Sequence, residues 1–240
     1  MSTLFISDLH LDPARPHIVD LFTRFVAGEA RQAEALYILG DLFESWIGDD
    51  DESPLAQRVG QSLRALMQSG VPVFFMHGNR DFLLGRRFMK AAGAMLLPDP
   101  ALIMAFGQRI VLAHGDAQCT ADRGYQVFRR FARNRVAQAL FLVWPFRWRR
   151  ALAQRMRSNS EAGRMRPVSA IYDVTREGVA ALFKKSRASV IIHGHTHRPA
   201  RHLEPGGIRW VLPDWDLDHG PRRGGYLRVD AEGIHAMPLD

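Results

Sequence analysis

Short apolar runs alternate with polar clusters along the chain, and this pattern predicts an α/β core. Five runs of three to six residues have the length of single buried strands and are bounded by polar residues. Each run ends in, or is followed at once by, a polar cluster that holds Asp, Asn or His. The predicted strands span residues 3–7, 36–39, 71–76, 110–113 and 190–192.

Helical periodicity occupies several intervals between these strands. Residues 18–30 and 86–92 have apolar side chains at helical spacing and are predicted to form amphipathic helices. A third helix is predicted to begin at Ser53-Pro54, because Ser suits the N-cap and Pro the first helical position. Gly70 suits the position just after the end of that helix.

Hairpins complete the predicted fold. Residues 101–106 and 109–113 are predicted to pair through a turn at Gly107-Gln108. Four further strands are predicted near residues 200–203, 208–212, 225–229 and 234–237. Alternating strands and helices followed by hairpins favour an α/β (α+β) arrangement of two packed mixed sheets with helices outside.

An arginine-rich segment interrupts this rhythm between residues 123 and 166. It contains twelve Arg, no Lys and one acidic residue, so that its net charge is +11 although the whole chain is only +7. Residues 123–135, 136–148 and 151–158 are predicted to be helical, with aromatic and apolar side chains edged by arginine. We predict a single domain over residues 1–240 with a helical insertion, or cap, at residues 120–167.

Three interpretations of the insertion remain open. Aromatic residues edged by arginine suit a surface that meets anionic lipid. The same pattern suits a helical cap packed on the main domain with solvated arginines outside. Arginine clusters also bind nucleic acid, but the high apolar content disfavours that interpretation.

Composition sets outer bounds on the class of protein. A chain of 240 residues fits one domain, and a single cysteine, Cys119, excludes an intrachain disulfide. The first residues lack the basic flank and apolar core of a secretory signal. The longest apolar run, residues 139–146, is too short to span a bilayer. We therefore expect a cytosolic protein or one that lies on a membrane surface.

The polar clusters at the strand ends have the composition of a metal site. Together they offer three carboxylate or amide oxygens and four imidazoles, a set that suits Mn(II) or Fe(II) and is too large for one ion. The seven candidate ligands are Asp8, His10, Asp41, Asn79, His114, His195 and His197. Two divalent ions side by side activate water and neutralise phosphoryl charge, so we predict a hydrolase of phosphate esters or anhydrides.

Chance is the competing explanation, since any one of these motifs alone is a weak signal. A lone histidine is usually an ordinary surface or core residue, and the prediction depends on five clusters occurring together. Six histidines lack that context, although the two beside motifs could support them: His17, His77, His193, His202, His219 and His235.

The motifs resemble those of the calcineurin-like metallophosphoesterase superfamily, whose pattern is D-x-H, G-D, G-N-H-[DE], H and G-H-x-H. This chain departs from the pattern at Arg80, where the superfamily usually has His. The segment around it, residues 78–85, resembles the branch that hydrolyses UDP-2,3-diacylglucosamine in lipid A biosynthesis. Further segments with the same resemblance are residues 4–11, 35–51, 114–125 and 192–199.

The resemblance implies a four-layer αββα sandwich and a dinuclear centre that uses two Mn²⁺, or Fe²⁺ or another divalent ion. It assigns Asp8, His10, Asp41 and His197 to one ion, and Asp41, Asn79, His114 and His195 to the other. Asp41 would bridge the ions, because a carboxylate has two oxygens.

The same resemblance implies a set of catalytic and substrate-binding residues. The catalytic residues would be Asn79, Arg80 and His195. The substrate-binding residues would be Asn79, Arg80, Asp122, Ser160, Arg164 and His195. This chain has Pro167 where the family often has Lys, so Arg164 or Arg166 is expected to replace that contact. A surface Arg80 paired with Asp81 is the alternative to its catalytic role.

The implied reaction releases UMP and 2,3-diacylglucosamine 1-phosphate by attack at the uridine-side phosphorus. The implied partners are a nucleotide-linked glycolipid and an anionic membrane surface, with a monomer at the cytoplasmic face of the inner membrane and no nucleic acid. We expect the acyl chains to lie in a cleft lined by Phe128, Phe131, Leu140, Phe141 and Trp144. The rivals are another dinuclear phosphodiesterase or nuclease, and a binding protein without catalysis.

Overall fold

A computed structural model describes residues 1–164, 173–218 and 220–239, and for residues 156–164 only the helical backbone. Within these residues the strands are β1 (Thr3–Ile6), β2 (Ala35–Leu39), β3 (Val73–Met76), β4 (Met95–Leu97), β5 (Ala101–Ala105), β6 (Gln108–Ala113), β7 (Val190–His193), β8 (Ala200–Glu204), β9 (Gly207–Val211), β10 (Gly225–Asp230) and β11 (Gly233–Pro238). The α-helices are α1 (Pro16–Ala27), α2 (Pro54–Gln68), α3 (Arg86–Ala92), α4 (Arg123–Ala132), α5 (Arg135–Leu142), α6 (Phe146–Arg164) and α7 (Arg176–Ser186).

The strands form two mixed sheets, as the sequence predicts. The first has the order β11-β10-β1-β2-β3-β4, with β1 to β4 parallel and β10 antiparallel to β1. The second has the order β5-β6-β7-β9-β8, in which β6, β7 and β9 are parallel and the two edge strands are antiparallel. The central parallel strands are buried on both faces, which explains their continuous apolar sequences.

The two sheets pack face to face between helices. Phe5 and Leu39 of the first sheet share one apolar cluster with Ile110 and Ile192 of the second. Alternate residues of the first sheet pack against α1, α2 and α3 on its outer face. Ile191 of the second sheet packs against α7. The result is the four-layer αββα sandwich that the resemblance implies.

The predicted start of α2 agrees with the structure, whereas the predicted bounds of α1 differ from those observed. Ser53 caps α2 by accepting a hydrogen bond from the Ala56 backbone N–H. Helix α1 begins at Pro16 and ends at Ala27, where a short 3₁₀ turn (Glu29–Gln32) replaces the predicted last residues. Helix α7 was not predicted, although Thr175 caps it and its buried residues have helical spacing.

The insertion consists of helices, but their boundaries differ from the prediction. A single helix over residues 136–148 is wrong, because α5 ends at Leu142 and α6 begins at Phe146. Pro145 lies between them and cannot continue α5, while it suits the position before α6. No described helix has the length and apolar character needed to cross a bilayer. The limits of 1–240 for the domain and 120–167 for the insertion stay predictions.

Candidate metal centre

The seven predicted ligands all lie on loops that follow the carboxyl ends of parallel strands. Asp8 and His10 follow β1, Asp41 follows β2 and Asn79 follows β3. The second sheet contributes His114 after β6, and His195 and His197 after β7. Because the sheets stack, these loops meet at one edge of the sandwich, as ligand-binding loops do in α/β proteins.

Two groups of side chains that could hold a metal ion result. The ligand atoms of Asp8, His10 and His197 lie within 4.8 Å of one another, and so do those of Asp41, His114 and His195. One oxygen of Asp41 is 3.8 Å from His10 Nε2, and its other oxygen is 3.8 Å from His114 Nε2. The Asp41 carboxylate therefore lies between the two groups.

Asn79 belongs to the second group. Its side-chain oxygen lies 3.0 Å from Nε2 of His114, the ring nitrogen that faces Asp41. The other ring nitrogen of His114, Nδ1, is 2.8 Å from the Leu39 carbonyl oxygen at the end of β2. A backbone carbonyl thus holds Nδ1 and leaves Nε2 directed to the centre.

The backbone at the centre is unusual. Five of the seven predicted ligands are non-glycine residues with positive φ, between 49° and 71°. They are Asp8, His10, Asp41, His195 and His197. Such conformations cost on the order of 1–3 kcal/mol each and concentrate at functional sites. The neighbouring glycines permit close approach, since a Cβ at Gly78 would collide with Asp41 and one at Gly194 with Asp8.

The donor atoms fit divalent cations. Asp8 is fully buried, and its Oδ2 accepts hydrogen bonds from the Ser7 hydroxyl and the His195 backbone N–H. Its Oδ1 accepts none from the part of the chain that the structure describes, and lies 3.5 Å from His197 Nε2. A buried carboxylate oxygen among imidazoles is a ligand type that Mn²⁺ and Fe²⁺ accept.

Two histidines of this centre have raised pKa values when no cation is bound. Burial acts to lower the pKa of His114, but the carboxylates of Asp41, Asp116 and Asp8 outweigh it and raise that pKa to about 9. Burial likewise acts to lower the pKa of His197, but the carboxylates of Asp214 and Asp8 outweigh it and raise that pKa to about 10. Two carboxylate-bound imidazolium groups thus occupy a centre whose acidic residues attract positive charge, a role that metal cations can take over.

Burial and neighbouring charge favour the neutral form of two other residues. Burial, together with the charge of His114, lowers the pKa of His195 to about 4. Its imidazole is therefore neutral near pH 7, the form that binds a metal. Burial and the charge of Asp41 raise the pKa of Asp81 to about 6.

Arg80 lies beside this centre and is mostly buried, with 13% of its side chain exposed. Its backbone N–H donates to Asp41 Oδ1 at 2.8 Å, and its guanidinium is 3.4 Å from a Glu44 oxygen. The alternative of a surface arginine paired with Asp81 is wrong. Asp81 is buried and accepts backbone N–H groups, including those of Gly78 and Leu42.

The structure describes only some of the predicted substrate-binding residues. Asp122 caps α4 by accepting from the Tyr125 backbone N–H at 2.9 Å. The side chains of Ser160 and Arg164, and all of Arg166 and Pro167, lie outside the described residues. Among the supporting histidines, His77 contacts the Leu84 carbonyl.

Sequence reasoning missed the polar contacts between α4 and the metal loops. The Tyr125 hydroxyl donates to Asp116 at 2.6 Å, and Arg129 donates to the same carboxylate at 2.9 Å. Arg133 donates to the Gly78 carbonyl, directly before Asn79. Asp116 stands in the His114-Gly115-Asp116 motif, so its position was visible, but nothing in the sequence identified its partners.

Comparison with known proteins gives one consistent result. The family described as calcineurin-like phosphoesterase matches residues 1–199. A protein named UDP-2,3-diacylglucosamine hydrolase from Ralstonia nicotianae is 51% identical, over 98% of this chain and 91% of its own length. One of the same name from Escherichia coli is 45% identical, over 99% and 98%. The structure of an archaeal phosphodiesterase covers both chains fully with a TM-score of 0.51 and 12% identity, which supports the fold.

Proposed function

Because this chain belongs to the calcineurin-like phosphoesterase family, we propose that it hydrolyses the pyrophosphate bond of UDP-2,3-diacylglucosamine. The products are UMP and 2,3-diacylglucosamine 1-phosphate, an intermediate of lipid A biosynthesis. The observation that carries the proposal is the pairing of 51% and 45% identity, over nearly the full length, to hydrolases of that name with two adjacent groups of candidate metal ligands and the nearby Asn79.

The proposed centre holds two divalent ions, with Mn²⁺ as the first choice. Asp8, His10, Asp41 and His197 would hold one ion, and Asp41, Asn79, His114 and His195 the other. The position of the Asp41 carboxylate between both groups supports its role as the shared ligand. Bound ions would neutralise charge on the phosphoryl group and lower the pKa of the attacking water.

Arg80 is the proposed partner of the pyrophosphate. Its guanidinium is permanently charged and can hold two phosphate oxygens, but unlike a histidine it cannot donate a proton to the leaving group. The departing sugar phosphate is a stable anion and needs no acid at this position. Asn79 and His195 act as catalytic residues beside it, and Asp122, Ser160 and Arg164 complete the proposed contacts to the head group.

The insertion is proposed to take the acyl chains and to meet an anionic membrane surface. Each CH₂ removed from water contributes about 0.8 kcal/mol, so chains left in water would lose most of their binding energy. Phe128, Phe131, Leu140 and Trp144 of the predicted lining are all exposed in the structure, whereas Phe141 packs partly against the core. Exposed apolar side chains on helices rich in arginine suit this role. We further propose a monomer at the cytoplasmic face of the inner membrane.

Isotope labelling tests the proposed reaction directly. The Mn²⁺-loaded protein is incubated with UDP-2,3-diacylglucosamine in H₂¹⁸O, and both products are analysed by mass spectrometry. Attack at the uridine-side phosphorus places the label in UMP. Label in the sugar phosphate would contradict the site of attack, and the absence of turnover would contradict the substrate.

A second assay separates this function from its rivals. Single-stranded and double-stranded oligonucleotides are tested at the same protein concentration, together with flotation on anionic and neutral vesicles. We expect no cleavage of either oligonucleotide, and binding to anionic vesicles that high salt reverses. Faster cleavage of an oligonucleotide than of the lipid would favour the nuclease.

A further inference from the structure

We infer that Glu44 is a positioning residue that orients His10 toward a metal ion and Arg80 toward the phosphate. One oxygen of Glu44, Oε2, lies 2.8 Å from His10 Nδ1, and the other, Oε1, lies 3.4 Å from an Arg80 guanidinium nitrogen. Its own backbone N–H donates to the Leu11 carbonyl at 3.1 Å, which fixes it beside the β1 loop. The Arg80 part of the inference rests on the proposed function, and the His10 part rests on metal binding alone.

His10 shows why the contact matters for the metal. Its Nε2 faces the centre, 3.3 Å from His197 Nε2 and 3.8 Å from Asp41 Oδ2. A neutral imidazole has one N–H and one lone pair, and a carboxylate oxygen 2.8 Å from Nδ1 favours the tautomer with the proton on Nδ1, which leaves the Nε2 lone pair for a cation. Carboxylates behind metal-binding histidines set the tautomer and increase ligand basicity in this way.

Two other histidines of the centre follow the same geometry, which supports the inference independently. His197 Nδ1 lies 3.4 Å from an oxygen of Asp214, whose carboxylate Arg223 also holds at 3.0 Å. His114 Nδ1 faces the Leu39 carbonyl at 2.8 Å. In each case an oxygen lies behind the ring on the side away from the centre. Glu44 differs from these oxygens because its second oxygen contacts the arginine proposed to bind phosphate.

The second contact places Arg80. Glu44 is 18% exposed and Arg80 13% exposed, so the ion pair is shielded from bulk water. Arg80 Nε is buried without a hydrogen-bond partner in the described ranges, which leaves a donor for an incoming anion. One carboxylate therefore connects a metal ligand with a phosphate ligand that lies 70 positions away in sequence.

Metal titration tests the His10 part without any substrate. The metal-free wild-type protein, Glu44→Ala and Glu44→Gln are titrated with Mn²⁺ by calorimetry, with Glu52→Gln as the control. Glu52 is 76% exposed and pairs with Arg87 on the surface. We expect 10- to 100-fold weaker binding of one ion in Glu44→Ala. The loss in Glu44→Gln should be smaller because an amide oxygen beside Nδ1 still favours the proton there, and the control should bind as wild type.

A folded Glu44→Ala protein that binds both ions with wild-type affinity would overturn this part. Folding is checked by circular dichroism and thermal melting of the metal-free proteins. Equal losses in Glu44→Ala and Glu44→Gln would also overturn it, because the acceptor oxygen would then be irrelevant. Neither readout depends on the identity of the substrate.

A double-mutant comparison at saturating Mn²⁺ tests the Arg80 part. We expect Glu44→Gln to lower kcat in the wild-type background and to have less than a twofold effect in Arg80→Ala. In the Arg80→Ala background Glu44→Gln should still weaken Mn²⁺ binding. This result would separate the contact to His10 from the contact to Arg80. If the kcat effects of the two substitutions multiply, Glu44 does not act through Arg80. Failure to turn over this substrate in the wild-type protein would instead refute the proposed function and leave the metal result standing.

Discussion

The metal centre and the helical insertion are built in opposite ways. Asp8 and His114 of the centre are fully buried on loops that follow strands of two packed sheets. In the described helices α4 and α5 no residue is buried, and Val143 at the end of α5 is 81% exposed. The chain thus places its predicted chemistry on a buried part of the fold and many of its exposed apolar side chains on a segment with little core of its own.

The insertion is held instead by a few polar anchors. Arg129 binds the carboxylates of Asp99 and Asp116, and Arg133 binds the carbonyl of Gly78. Arg149 is buried on α6. The arginines of this segment whose side chains the structure describes therefore fall into two kinds, those that attach the helices to the loops of the main domain and those left at the surface. Since anchoring and exposed arginines occur in the same segment, charge density alone does not show which arginines face a ligand or a membrane.

Asp41→Ala should have the largest effect, because it removes the carboxylate between both metal groups. We expect loss of both ions and of activity, whereas His10→Ala should weaken mainly one ion. Metal analysis of the purified proteins measures this, with Asp20→Ala as a control on the surface of α1. Near-full metal content in Asp41→Ala would mean that the two groups do not share this ligand.

Arg80→Ala should have the next largest effect. Arginines that stabilise phosphoryl transfer contribute on the order of 10³–10⁵ in rate, so we expect kcat to fall at least 1,000-fold, roughly the lower end of that range. Arg87→Ala, at an exposed arginine of α3, is the matched control. A loss of less than tenfold at Arg80 would assign the arginine a structural role, and the chemistry of the core would then depend on the metal ligands alone.

Phe141→Asp tests whether the insertion serves the lipid. Phe141 packs partly against the core and lies 6.3 Å from the ring of Trp144, centroid to centroid. We expect at least a tenfold loss in kcat/KM on the diacylated substrate, with turnover of bis-p-nitrophenyl phosphate unchanged. Leu203→Asp, at an exposed leucine of β8, is the control. Equal losses on both substrates would show that α5 only supports the fold.

Much of the core could be predicted because its signals are local. A buried strand followed by Asp or His is visible within ten residues, and so is the Ser53-Pro54 helix start. The contacts that complete the site are not local. The Glu44 contact to His10 joins two loops, and the Arg129 contact to Asp116 joins α4 to the loop that follows β6. Such pairings depend on tertiary packing, which residue spacing does not encode.

The insertion was harder to predict for a related reason. Its helices were identified, but the break at Pro145 was missed because apolar residues continue on both sides of it. Strand β4 was missed because it has three residues and an exposed edge, which leave no periodicity to detect. Nothing in the run of twelve arginines distinguished Arg149 from its exposed neighbour Arg150.

Arg149→Ala should have the smallest effect on activity and a measurable effect on stability. Its guanidinium donates to the carbonyls of Trp144 and Ile47 and to the Asp50 carboxylate, and so joins α6 to the loop after β2. Truncation leaves two carbonyls and a half-exposed carboxylate without this donor. Hydrogen bonds to a charged group contribute roughly 1.5–3 kcal/mol, so the melting temperature should fall by about 3–12 °C in a chain of this size. Thermal denaturation of Arg149→Ala beside Arg150→Ala measures the difference, and kcat on bis-p-nitrophenyl phosphate should change less than twofold in both. Equal melting temperatures for the two variants would mean that Arg149 does not anchor the insertion. The distinction between anchoring arginines and surface arginines would then be wrong for α6.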